Sequence, residues 1–242
     1  MTLWGFRQIH CAIALLVVCA ARPAAQAIDK ERVATIAGPA LAGGIVSELV
    51  WDEGTLVIQS AIMDDGGRLV PRYYVAGAPG TDVRKLPAVP AGAEEYWKMK
   101  ASRTSPTGLG RITDVKDAKI AVYGVGAIEK RLLEAQDSGG TENLFELRLG
   151  RLTLYSSRER EPYDGEVWSW SPARLNRIAY VDGRGDIWIA RADGTSPERI
   201  ARGTFTLPAW SDDGRSIAVA ERKDGGTRWE VSVIHLPQRF RE

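Results

Sequence analysis

Short apolar runs rich in Val, Ile, Trp and Tyr, bounded by Gly and Asp, recur through the last third of the chain. Trp170-Ser171-Pro172 leads into Arg177-Ile178-Ala179-Tyr180-Val181, a turn at Asp182-Gly183-Arg184-Gly185, and Asp186-Ile187-Trp188-Ile189-Ala190. Forty residues on, Trp210-Ser211-Asp212-Asp213-Gly214 leads into Ser216-Ile217-Ala218-Val219-Ala220, a turn at Lys223-Asp224-Gly225-Gly226, and Arg228-Trp229-Glu230-Val231-Ser232-Val233. Runs of this length and composition predict buried strands, and Gly-Asp turns between them predict antiparallel hairpins. A period near 40 is that of a repeated four-stranded unit.

The same grammar returns upstream. Tyr74-Val75-Ala76-Gly77-Ala78-Pro79-Gly80-Thr81 aligns without a gap on Trp188-Ile189-Ala190-Arg191-Ala192-Asp193-Gly194-Thr195, and both continue to a basic-apolar pair at equal spacing, Lys85-Leu86 and Arg199-Ile200. Leu49 to Ile58 resembles the Trp-Ser-Asp-Asp-Gly turn with one residue fewer. A fourth, degenerate copy spans Ile112 to Ser157, with period-two alternation at Leu144-Phe145-Glu146-Leu147 and Leu152-Thr153-Leu154-Tyr155. Within it the helix formers of Ala127 to Gln136 predict a short helical insertion, and the proline- and glycine-bearing stretch Pro87 to Gly110 reads as an irregular connection. The expected fold is all-β: a propeller-like array of about four, at most five, four-stranded antiparallel blades. A small sheet has an apolar face that it cannot bury alone, and radial stacking buries it.

The run Trp210 to Ala218, taken with Asp186 to Gly194, resembles the repeat of TolB-type, WD-repeat-like β-propellers, specifically over about Val167 to Leu236 and more weakly over Ile45 to Leu86. The resemblance implies a periplasmic propeller acting as a protein-binding platform in an envelope system such as Tol-Pal. Two departures qualify it. TolB carries an α/β domain before its propeller, for which Ile28 to Gly44 is too short, and six blades at this period would need about 240 residues. Either the ring is small, or it is open and completed by another chain.

The N-terminus supplies the address. Arg7, the apolar stretch Cys11 to Ala21 and the small-x-small Ala25-Gln26-Ala27 predict a cleavable signal peptide over residues 1–27, leaving a repeat domain over 28–242 in the periplasm or secreted. The apolar core is too short to span a bilayer, and no later stretch is longer. Val18 before Cys19 is a poor fit to a lipobox, so a lipid anchor is not expected. Both cysteines leave with the leader. Loss of Arg7 and Arg22 leaves 30 Lys and Arg against 31 Asp and Glu, a net charge of −1. With both signs interleaved, nucleic acid is not an expected partner.

No residue is assigned a catalytic, cofactor or metal role. Trp51, Trp168, Trp170, Trp188, Trp210 and Trp229 recur at matching positions, Trp168 excepted, and are expected in the core rather than in a sugar-binding row. His235 is the one histidine left after cleavage, and a Ser-His-Asp hydrolase would have to use it without a Gly-x-Ser-x-Gly elbow. Asp182-Gly183-Arg184-Gly185-Asp186 lacks a twelve-residue calcium loop and reads as a turn. Ser211-Asp212-Asp213-Gly214 misses the spacing of a sialidase Asp-box. Ile120 to Glu129 imitates a dinucleotide-binding opening, but Glu129 stands where its third glycine belongs. The leading expectation is an exported non-enzymatic scaffold that binds a protein partner in the cell envelope. The alternatives are a propeller glycan hydrolase using central carboxylates and an incomplete propeller completed by a partner chain.

Overall fold

The structure, a computed structural model, describes residues 29–37, 45–76, 83–115, 127–137, 140–157 and 162–241. These residues are mostly β, in four four-stranded sheets with one α-helix. Sheet I holds β2 (Ile45–Asp52), β3 (Thr55–Met63), β4 (Leu69–Val75) and β5 (Arg84–Leu86). Sheet II holds β6 (Arg111–Val115), β7 (Ala127–Asp137), β8 (Gly140–Leu149) and β9 (Leu152–Ser157). Sheet III holds β10 (Trp168–Trp170), β11 (Arg177–Val181), β12 (Ile187–Arg191) and β13 (Glu198–Ala201). Sheet IV takes β14 (Phe205–Trp210), β15 (Ser216–Lys223) and β16 (Arg228–His235), and its fourth strand is the first among the described residues, β1 (Asp29–Ala37), antiparallel to β16. No described helix is long and apolar enough to cross a membrane.

The repeat grammar reappears as register. Tyr74 pairs with Lys85 across β4 and β5, and Trp188 pairs with Arg199 across β12 and β13. The gapless match therefore locates the same third-to-fourth strand pairing in sheets I and III. Both Trp-Ser turns are closed by the serine: Ser171 Oγ accepts from Arg177 N at 2.9 Å, and Ser211 Oγ accepts from Ser216 N at 3.0 Å. The extra residue in the first is absorbed by left-handed Asn176, φ 48°. The shorter β2–β3 turn places Glu53 and Gly54 at φ 47° and 77°, a mirror-type turn matching the strand twist.

Alternate strand residues face opposite sides, so a strand buried on both faces reads as an unbroken apolar run. In β15, Ala218 and Ala220 pack toward sheet I with Leu49, Ile58 and Leu207, while Ile217 and Val219 pack toward sheet III with Ala179, Ile189 and Phe205. In β11, Ala179 and Val181 join that second cluster, and Ile178 and Tyr180 join Leu147, Leu149 and Leu154 of sheet II. The packing order is thus I, IV, III, II. Trp168, Trp170 and Trp210 are fully buried and Trp229 is buried, as expected of a core set; Trp51 and Trp188 are half-buried. Gly194 lets the β12–β13 turn lie on sheet II: at φ +81° its added Cβ would stand 2.3 Å from the Leu149 carbonyl oxygen.

Three expectations are corrected. Residues 127–136 are not helical but lie in β7, paired with β8 from Lys130↔Leu147 to Asp137↔Gly140. Helix propensity amounts to a few tenths of a kcal/mol per residue and yields to a ladder of this length. β7 also runs parallel to β6, so sheet II is not purely antiparallel. The one α-helix, α1 (Ala91–Lys100), lies in the stretch expected to be irregular. Pro90 stops the preceding extended chain at its N-cap, Glu94 lies in the first turn, and Lys98 and Lys100 lie in the last, matching the helix dipole. Its inward residues are Ala93, Tyr96 and Lys100, a stripe that hydrophobic periodicity does not reveal. Gly124 and Gly126 lie outside the described residues, but Ala127 to Glu129, which would open the helix of a dinucleotide-binding unit, belong to β7.

Candidate functional site

Helix α1 covers the face of sheet I that points away from sheet IV, with Ala93 and Tyr96 against Val50 and Val57. It reaches further sheets through polar contacts. The Tyr96 hydroxyl donates to the Trp210 carbonyl at the end of β14, and burial pushes that phenol far above its ordinary range. Trp170 Nε1 donates to the Ser102 carbonyl just after the helix, at 2.9 Å. Arg103 then forks onto Asp164, Nε to Oδ2 at 3.0 Å and Nη2 to Oδ1 at 2.8 Å. The helix and its exit loop therefore bind sheets I, III and IV together.

Beside α1 opens a cleft of about 490 Å³, walled by Trp51, Asp52, Glu53, Glu95, Tyr96 and Asp212. Two hairpin turns supply three of its acids and α1 supplies the fourth, Glu95. Asp52 and Glu53 sit at the β2–β3 turn and Asp212 in the Trp-Ser turn of sheet IV, where Asp212 Oδ2 accepts from Gly54 N at 3.3 Å. The Trp51 ring is fixed by Nε1 donating to the Ala209 carbonyl at 3.0 Å. Four carboxylates and an aromatic wall, with no basic side chain in the lining, make a concave surface of negative potential suited to cationic groups. Among the described residues no three Asp, Glu, His or Cys are grouped to hold a metal ion.

Below lies a second, sealed group. Glu48 of β2 and Lys100 of α1 are both fully buried and paired, Lys100 Nζ donating to Glu48 Oε1. Oε1 also accepts from Leu49 N at 3.1 Å, whereas Oε2 has no partner. Glu166, buried ahead of β10, acts electrostatically on both. Burial pushes the Glu48 carboxyl up despite the pull of Lys100, and pushes the Lys100 ammonium down despite that of Glu48.

The residues weighed in the sequence fall elsewhere. His235 ends β16, with Nδ1 3.1 Å from Ser216 Oγ of β15 and Nε2 3.3 Å from Glu31 Oε2 of β1. This Ser-His-Glu row crosses three strands of sheet IV. Its order on the ring, serine at Nδ1 and carboxylate at Nε2, reverses that of a hydrolase triad, and Ser216 is buried. The row ties β1 to the sheet, as does Lys30 paired with Glu221 at 2.5 Å. Asp182 Oδ1 accepts from Arg184 N and Asp186 N at 2.9 and 3.0 Å, and Oδ2 from Trp188 Nε1 at 3.0 Å, so its oxygens serve the turn. Asp213 likewise accepts from Ser211 Oγ at 2.7 Å and Arg215 N at 2.9 Å. Sequence reading missed Glu48, Lys100 and the cleft acids. One signal was available: Glu48 stands alone as an acid in the apolar run Ile45 to Trp51.

No protein-family model and no curated protein matches this sequence.

Proposed function

We propose that the four sheets are blades of a small TolB-like β-propeller and that the chain is an exported scaffold binding a protein partner in the cell envelope through the acidic cleft beside α1. Three features support the propeller. The sheets follow the packing order I, IV, III, II, their third-to-fourth strand registers repeat, and the N-terminal strand completes the last sheet. Helix α1 occupies the remaining face of sheet I, where a fourth sheet-to-sheet junction would fall. Because β1 fills the outer place in sheet IV, that blade needs no strand from another chain.

The binding reading rests on where the carboxylates lie. Glu48, an acid on the first strand of sheet I, is sealed under α1 and paired with Lys100, so it is not free to serve as a central carboxylate of a glycosidase. The solvent-facing acids instead line a cleft with a fixed aromatic wall, an arrangement suited to the Lys and Arg side chains of a partner. The test is retention of proteins from an envelope extract on the immobilised chain, compared with a variant carrying Asp52→Asn, Glu53→Gln and Asp212→Asn. A specific protein held by the native chain, released by salt and absent from the variant, is the expected result. Equal retention by both chains, or hydrolysis of a glycan panel abolished by one Asp or Glu substitution, would overturn it.

A further inference from the structure

At the end opposite β2, β6, β10 and β14, each sheet finishes in a strand that is paired on one side only among the described residues: β5, β9, β13 and β1. Such an edge offers unpaired N–H and C=O groups to any extended chain, and folds blunt it by brevity, charge or proline. β5 has three residues, among them Arg84 and Lys85, and β13 has four, among them Glu198 and Arg199. β1 carries Lys30, Glu31 and Arg32. β9 differs: Leu152-Thr153-Leu154-Tyr155-Ser156-Ser157 holds six residues with no charge and no proline. Its one irregularity is a bulge opposite Leu147 and Arg148, after which Tyr155 and Ser156 pair regularly with Leu147 and Glu146.

A cleft of about 250 Å³ opens beside this strand, with Thr153, Tyr155 and Ser156 on one wall and Asp182, Gly183 and Arg184 of the β11–β12 turn on the other. The turn is seated on the strand, since a Cβ on Gly183 would collide with the Ser156 carbonyl. Asp182 fixes the turn from within: Oδ1 accepts from Arg184 N and Asp186 N, and Oδ2 from Trp188 Nε1. Both oxygens of the one acid in the cleft lining are therefore engaged. Arg199, on β13, is paired with Asp186 at 3.3 Å and lies over the Trp188 ring. Arg184 is different, for its side chain is exposed and makes no hydrogen bond or ion pair among the described residues. The backbone of this residue is held while its guanidinium is left to pair with something else.

We infer that β9 is a docking edge for an extended acidic segment of another protein, which adds to sheet II as a fifth strand and sets an Asp or Glu side chain against Arg184. Main-chain bonds along β9 supply the affinity, as in other strand additions, and the fork of Arg184 onto a carboxylate supplies the selectivity. A basic segment would meet like charge at the same place. This surface belongs to sheets II and III and takes the opposite charge from the cleft beside α1, so it is a second contact and does not depend on the first.

The test titrates the purified full chain with a short capped peptide of alternating Thr and Val bearing Glu at its centre. A matching peptide with Lys in that place and one methylated on alternate backbone nitrogens serve as controls. Affinity is read by fluorescence anisotropy, and hydrogen exchange locates the site. The Glu peptide should bind saturably and slow exchange over residues 152–156 by at least about tenfold, and the methylated peptide should not bind. The Lys peptide should bind more weakly by about two- to fivefold, a preference that Arg184→Gln abolishes. No binding of the Glu peptide up to about 1 mM, binding of the methylated peptide as tight as that of its parent, or slowed exchange confined to other strands would overturn strand addition. Equal affinity of the native chain for the Glu and Lys peptides would overturn the acidic partner. The variant carrying Asp52→Asn, Glu53→Gln and Asp212→Asn should bind the Glu peptide as the native chain does, which keeps failure at this edge distinct from failure at the acidic cleft.

Discussion

Replacing Lys100 by Met keeps the length and apolar character of the side chain but strips the only ammonium from a site in which Lys100 and Glu48 are both 0% exposed. Glu48 then retains one donor, Leu49 N. Breaking a buried pair from one side costs about 3–5 kcal/mol, because the remaining charge is left without compensation. Replacing both partners by apolar residues of similar volume is on the order of neutral, or stabilising by about 1–4 kcal/mol. Lys100→Met combined with Glu48→Leu should thus recover most of the loss and lie within about 1 kcal/mol of the native chain. In urea at about pH 7, with a slope of about 2 kcal/mol/M, the single variant should lower the unfolding midpoint by about 1.5–2.5 M and the double by under about 0.5 M. The loss in the single variant should shrink as pH falls, because burial pushes the Glu48 carboxyl up and protonation removes the unpaired charge. A single variant within about 0.5 M of native, or a double no more stable than the single, would refute the claim that this pair is sealed and mutually dependent.

Gly194→Ala should cost roughly 2–4 kcal/mol, from φ +81° together with a Cβ 2.3 Å from the Leu149 carbonyl oxygen, whereas Gly225→Ala, at φ +65° with nothing within 4 Å, should cost only about 1; thermal unfolding of the two variants separates them. Burial pushes the Glu221 carboxyl up, but hydrogen bonds from Lys30 and Lys223 outweigh it and hold the group below its ordinary 4.5. The Lys30–Glu221 tie of β1 is therefore fully present above that value and lost as pH falls through the depressed one, so exchange at β1 should rise on acidification, and Glu221→Gln should flatten the dependence. Asp212→Asn removes one cleft charge and keeps an amide oxygen to accept from Gly54 N; it should weaken partner retention while shifting the unfolding midpoint little, which binding and urea titrations on the same preparation would check.

The strand units were legible from sequence because the information is local. Both faces of β11 and β15 are covered by neighbouring sheets, so Ile178 to Val181 and Ile217 to Ala220 have to be apolar at every position. The pairs Tyr74↔Lys85 and Trp188↔Arg199 span equal numbers of residues, so an ungapped match carries register directly. Trp170 and Trp210 identify their turns because the serine after each closes the backbone locally. Tertiary structure decided the rest. Residues 127–136 are good helix formers, yet β8 on one side and β6 on the other make them a strand. In α1 the buried stripe ends on a lysine, which no rule of hydrophobic periodicity selects. The partners Glu48 and Lys100, His235 and Glu31, and above all β1 and β16, lie far apart along the chain. A sequence pattern reports what each residue needs from its surroundings, burial or a partner. Which distant residue supplies it is settled only when the sheets stack, because that choice depends on positions that no local spacing encodes.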